Sequence, residues 1–362
     1  MGFYIFLFIV CFSIAYISHI LYKKNNINRI VLNIIDFLPY FILIIITGFR
    51  YNVGTDYQGY SRLFKLVSFT DYERIEITFK IFSKIALFFN FNQQFVFLIY
   101  ATITYSFVYS AIRYYDKNGN KRHYIILLVL VFFLFNAFNT VRQMAAVSIF
   151  FYATKYIVER RLIKYLIFVC IAILFHYSAC FCVLFYPLLN LRANKLLILL
   201  LISPIFYMTD IANKVIALIN QLIDSSWYEI YLYSFNNKVE FGWKNTLLLF
   251  LIAIFFALRL EKLAFRESDK VIIKLFISYV IFYFMFLTSD IATRMLYYPM
   301  VSLIITIPLI GEITKNKKEK ILLNYFSFSY TIGLLLIMLI GYKDLFYDDG
   351  ILKYTFKIFI PK

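Results

Sequence analysis

Three arginines, two carboxylates and one histidine stand at or near the borders of apolar runs in this chain: Arg50, Arg142, Arg294, Asp56, Glu76 and His176. A guanidinium at such a border is a fork of donors that fits phosphate or carboxylate oxygens. A carboxylate or a neutral imidazole can take a proton from a hydroxyl. In Arg50-Tyr51-Asn52-Val53-Gly54-Thr55-Asp56-Tyr57-Gln58-Gly59-Tyr60 the glycines permit tight turns, and Asp56 and Tyr60 share a face if the segment is helical. Taken alone, that segment reads rather as a solvated turn with a snorkelling arginine.

Arg142 sits with Asn136, Asn139, Thr140 and Gln143 between two apolar runs. An arginine at mid-membrane costs about 2.5–3.5 kcal/mol on insertion scales. No acid is close to it in sequence, so its partner is distant in the chain or is an anionic ligand. His176 and Ser178 interrupt the apolar stretch 162–189. A histidine there is either a packed, hydrogen-bonded residue or a base at a break between half-helices. Ser289-Asp290-Ile291-Ala292-Thr293-Arg294 leads to Tyr297 and Tyr298, and Asp290 and Arg294, four apart, can satisfy one another. A Walker A motif, a Gly-rich dinucleotide loop and metal-binding carboxylate clusters are all missing. The expectation is therefore no metal and no cofactor. Cys11, Cys170, Cys180 and Cys182 lie in apolar runs and read as packing residues.

The elements that must hold these residues are membrane helices. Of 362 residues, 62% are hydrophobic and only 16% charged, with a mean hydropathy of +0.77. That excludes a soluble enzyme and a nucleic-acid-binding domain, so no nucleic acid is expected as a partner. The reading is an all-α polytopic integral membrane protein, one membrane domain over 1–362. Spans are expected near 3–22, 30–48, 93–112, 123–140, 143–158, 162–175, 177–189, 196–209, 245–258, 271–288, 295–311 and 321–341, about 10–12 transmembrane helices in all. Met1–Tyr22 lacks a basic start and a small-residue cleavage site and reads as a first span. As one helix, 162–189 would be about 42 Å long, so a hairpin of two short helices broken near His176 fits better.

The connections 23–29, 113–122, 155–164, 191–195, 259–274 and 315–320 are rich in Lys and Arg; the others are not. The basic set is expected in the cytoplasm and both termini outside. That sidedness puts Arg50, Asp56, Arg142, His176 and Arg294 together on the outer side. The outer loop 48–92 is expected to hold an amphipathic helix at 74–90, with Ile75, Phe79, Phe82, Ala86 and Phe89 on its apolar face and Arg74, Thr78, Lys80, Ser83 and Lys84 between them. Residues 210–244 read as an outer aromatic loop.

With those residues in view, the chain resembles the EpsG family of bacterial exopolysaccharide proteins, akin to Wzy O-antigen and capsule polymerases. The carriers are Phe49-Arg50, Val53-Gly54-Thr55-Asp56 with Tyr60, Glu76 with Phe79, Arg142-Gln143-Ala145-Ala146, Leu174-Phe175-His176 with Ser178, and Arg294 with Tyr297 or Tyr298. One position departs from the family's pattern: Ile77 stands where a proline usually follows the glutamate. The resemblance implies a GT-C-like fold and polymerisation, at the outer face of the bacterial cytoplasmic membrane, of oligosaccharide units carried on undecaprenyl pyrophosphate. It implies a metal-independent glycosyltransferase whose partners are that lipid-linked glycan, membrane lipid and a chain-length regulator protein. An O-antigen-type ligase or a non-catalytic flippase subunit is the alternative. In the polymerase reading Arg142 and Arg294, with Arg50, hold the donor diphosphate. His176 or Asp56 is the acceptor base, and Glu76 orients sugar hydroxyls or an arginine. Tyr60, Gln143, Ser178 and Tyr298 complete the substrate-binding set.

Overall fold

The computed structural model describes residues 2–24, 27–69, 75–209, 214, 243–261, 265–287 and 290–344. Among them the secondary structure is helical throughout, without strands. The helices are α1 (Gly2–Tyr22), α2 (Arg29–Gly48), α3 (Tyr57–Phe69), α4 (Ile77–Phe88), α5 (Gln93–Tyr115), α6 (Arg122–Asn139), α7 (Val141–Val158) and α8 (Leu162–Phe175). They continue as α9 (Tyr177–Leu189), α10 (Ala193–Thr209), α11 (Trp243–Arg259), α12 (Glu267–Phe286), α13 (Arg294–Met300), α14 (Leu303–Ile313) and α15 (Lys317–Asp344). The chain is an all-helical polytopic membrane protein. Five helices (α1, α2, α5, α6 and the Lys317–Ile340 part of α15) are long and apolar enough to cross a bilayer, and the pair α13–α14, bent by 44°, is a sixth if taken as one span. The helices α8, α9, α10 and Thr246–Arg259 are apolar but shorter. At 14 residues α8 reaches only about 21 Å, short of a core of about 30 Å.

Lipid offers no hydrogen bonds, so breaks in these helices must be repaired locally. Asn28 and Asn92 cap α2 and α5 by accepting from Ile30 N at 2.8 Å and Gln94 N at 3.1 Å. In α6 a wide π turn at Leu130–Leu134 precedes the last turn. Asn136 Nδ2 then donates to Phe132 O at 3.0 Å, and Asn136 O accepts from both Thr140 N at 2.8 Å and Thr140 Oγ1 at 3.0 Å. Thr140 alone separates α6 from α7. α7 is buried around nearly its whole circumference and lies against α5 and α8, so it is the core of the bundle. The stretch 162–189 is two helices meeting at His176, whose backbone is extended (φ −158°, ψ 124°).

At one end of the bundle, basic side chains reach the carbonyls that end helices. Arg266 donates to Tyr115 O at 2.7 Å, Arg259 to Ile313 O at 3.3 Å, Lys274 to Leu191 O at 2.7 Å and Lys121 to Pro308 O at 2.8 Å. Cations suit helix C-termini because the last carbonyls carry partial negative charge. A buried ion cluster sits at this end too. Arg122 lies 3.3 Å from Asp36 Oδ1 and 3.8 Å from Asp116 Oδ2, and Ser18 donates to Asp36 at 3.0 Å.

Two expectations for 48–92 need correction. α3 is a second helix in that loop, burying Tyr57, Tyr60, Phe64 and Val67 along one face. In α4 the expected apolar face is buried, but two hydroxyls change sides. Thr78 and Ser83 are buried beside Phe79 and Ala86, while Ile77, Ile81, Ile85 and Phe88 are exposed. The reason is Thr78, whose hydroxyl donates to Leu174 O at 2.9 Å and lies 2.9 Å from the Tyr100 hydroxyl. The two hydroxyls thus join the buried apolar face, Lys84 stays exposed, and Ile77, Ile81, Ile85 and Phe88 form a second apolar strip on the outside. The aromatic segment 210–244 lies almost wholly outside the described residues, as does Arg74.

Candidate functional site

At the end of the bundle away from the basic contacts, α2 closes with Arg50. Its guanidinium is fully buried and donates to Val53 O at 3.2 Å, to Phe138 O at 3.1 Å and to Thr47 O. The Phe97 ring lies 4.3 Å from its Cζ. Enclosed in this way, Arg50 serves the fold as a clasp. It folds the 50–54 turn back on itself and pins it to the end of α6. Gly54 has φ +100°, and a Cβ there would lie 2.8 Å from Phe138 O and 2.9 Å from Asn139 Oδ1. Only glycine fits so close a left-handed crossing. Asn139 Oδ1 accepts from Thr55 N at 2.9 Å, which leaves the next residue, Asp56, exposed at the start of α3.

Arg142, in the first turn of α7, forms an ion pair with the buried Glu76. It also lies over the Tyr60 and Phe79 rings at 5.6 and 5.9 Å. Its Nε has no partner among the described residues. Glu76 Oε1 is 4.0 Å from His176 Nε2, so the carboxylate stands between an arginine and an imidazole. His176 Nδ1 is 2.7 Å from Ser178 Oγ, which is 2.8 Å from the hydroxyl of the fully buried Tyr298. Gln143 Nε2, one residue beyond Arg142, donates to Arg294 O at 2.8 Å and lies 3.5 Å from Ser178 Oγ. The Arg294 side chain is exposed and acts electrostatically on His176 and Tyr297, as Asp56 does on Tyr297.

The structure thus brings Glu76, Arg142, Gln143, His176, Ser178, Tyr298 and Arg294 together from α4, α7, α9 and α13. Tyr60 lies beneath Arg142, Asp56 at the rim, and Arg50 outside the cluster. The side chain of Asp290 lies outside the described residues. The arrangement can hold an anion, since Arg142 and Arg294 together exceed the charge of Glu76, and it holds a histidine next to that anion's place. Among the described residues no three His, Cys, Asp or Glu side chains come together to hold a metal ion.

Three positioning residues were not singled out from the sequence. Asn139 was visible as one of several polar residues before Arg142, and nothing local marked it as the anchor for Thr55. Thr78 reads from the sequence only as one polar residue of 74–90 and Tyr100 as one more aromatic in an apolar run, since the partners that tie α4 to the end of α8 are far away in the chain.

A family model described as the EpsG family matches residues 33–356, nearly the whole chain. The chain belongs to the EpsG family. Every residue of the cluster lies within the matched stretch, so this EpsG protein is a multi-pass membrane protein of bacterial polysaccharide biosynthesis. Comparison with curated proteins and with solved structures finds no match.

Proposed function

We propose that this EpsG protein polymerises oligosaccharide repeat units linked to undecaprenyl pyrophosphate, at the outer face of the bacterial cytoplasmic membrane. The observation that carries the reading is the cluster of Arg142, Arg294, Glu76 and His176 at the end of the bundle opposite the basic connections. Positive charge marks the cytoplasmic side, so the cluster belongs outside, together with both chain termini. A glycosyl diphosphate donor needs cationic groups where the leaving diphosphate develops charge, and Arg142 and Arg294 supply them. The acceptor hydroxyl must lose its proton to a base at the same site. Tyr60 and Glu76 hold Arg142 in place, and Gln143 does the same for the Arg294 backbone.

The test is glycan length in cells. Arg142→Ala, Arg294→Ala and His176→Ala should each leave single-unit or short-chain glycan. Normal long-chain polymer from all three, at wild-type protein level, overturns the reading. Long chains that form but fail to attach to the surface would indicate a ligase instead.

A further inference from the structure

Ser178 decides which nitrogen of His176 carries the proton. The backbone N–H of Ser178 donates to His176 Nδ1 at 3.3 Å. An amide N–H cannot accept, so Nδ1 presents a lone pair. The Ser178 hydroxyl, 2.7 Å from the same nitrogen, therefore also donates to it. Its oxygen in turn accepts from Tyr298, whose hydroxyl lies 2.8 Å away in a fully buried position. A neutral imidazole held in this way bears its proton on Nε2. That edge faces Glu76 Oε1 at 4.0 Å, beyond hydrogen-bond range, in the space shared with Arg142 and Arg294.

We infer that His176 works on the donor side of the transfer. Its Nε2–H is a hydrogen-bond donor to the lipid-linked diphosphate, beside the two arginines, and it is not the base for the acceptor hydroxyl. This assignment rests on the polymerase reading. A base needs a free lone pair, and in His176 one nitrogen is engaged twice by Ser178 while the other already carries hydrogen.

In the reaction the acceptor O–H gives its proton to a carboxylate, and the freed oxygen bonds to the anomeric carbon. The bond from that carbon to the diphosphate oxygen breaks, its electron pair leaving with the diphosphate. The charge that develops there meets Arg142, Arg294 and the Nε2–H. Asp56 is the exposed carboxylate at this end among the described residues, and it takes the proton.

Glutamine at 176 keeps an N–H near the position of Nε2–H and cannot take up a proton. With purified protein in liposomes and lipid-linked repeat units as substrate, His176→Gln should elongate within about 10-fold of the wild-type rate, and His176→Ala should lose about 100-fold or more. A glutamine variant as inactive as the alanine variant overturns the assignment. A second measurement is independent of turnover: nitrogen-15 spectra of the full chain, labelled at histidine, in lipid nanodiscs. The chain has three histidines, so the glutamine variant identifies the His176 signals by their loss. At neutral pH Nε2 should be protonated and Nδ1 unprotonated, and the reverse overturns the assignment. Failure of the wild-type protein to elongate the units would instead bring down the polymerase reading, and with it the donor-side role.

Discussion

Arg50 and Arg142 are alike in sequence, each a lone guanidinium at the edge of an apolar run, and the fold uses them in opposite ways. Arg50 is spent on three backbone carbonyls and an aromatic ring; Arg142 keeps one donor nitrogen free beside Glu76. The difference was not legible locally, because the deciding partners, Phe138 and Glu76, are 88 and 66 residues away. What could be read was the demand: an arginine with no nearby acid requires a distant partner or an anion, and Glu76 meets part of it. Arg50→Ala should strip those carbonyls of their donors and lower stability by about 3 kcal/mol or more, read as an earlier thermal unfolding in detergent. For Arg142 stability and function separate. Arg142→Ala leaves a buried carboxylate unpaired and should cost about 3–5 kcal/mol. Adding Glu76→Gln should restore most of that stability while polymer formation stays lost, a result visible in a double-mutant cycle. Gly54→Ala should cost about 1–3 kcal/mol, because the left-handed turn cannot take a Cβ against Phe138 O; unfolding temperature checks it.

Among the elements, the broken helix at His176 and the buried hydroxyls of α4 teach different lessons. The break was legible because an unbroken 162–189 would exceed the bilayer and His176, Tyr177 and Ser178 sit at its middle. The inward place of Thr78 and Ser83 was not, since the usual rule sends hydroxyls to water, and inside a membrane bundle they turn inward to find partners. Thr78 is such a hydroxyl, bridging α4 to Leu174 O at the end of α8. Thr78→Val removes that bridge at about the same volume and leaves an acceptor unpaired, at a cost of about 1–3 kcal/mol. Its local consequence is faster hydrogen exchange in 176–184, the segment hung from the end of α8, with exchange in α5 unchanged.

For the whole molecule, the basic connections mark one end and the candidate site the other. Charge density along the chain was enough to read that division, since it sums over many loops and needs no single contact. The partial-depth helices were harder, because a 14-residue apolar run looks the same whether it reaches across or stops halfway. The sidedness is testable in intact cells. With the native cysteines replaced, a thiol placed by Thr55→Cys should react with a membrane-impermeant reagent from outside, and one placed by Asn316→Cys only after the membrane is opened. The opposite pattern would put the cluster in the cytoplasm.

One short junction bears on how the proposed polymerase would keep its geometry. A single residue, Thr140, joins α6 to α7, the turn before Asp56 leans on Phe138 and Asn139, and Arg142 follows two positions after the joint. Whatever shifts that corner carries Asp56 and Arg142 along as one piece. In the polymerase proposed above, the gap between them would then be shielded from the bending and sliding that a lengthening polymer imposes on the surrounding helices, and each added unit would meet the same spacing as the first.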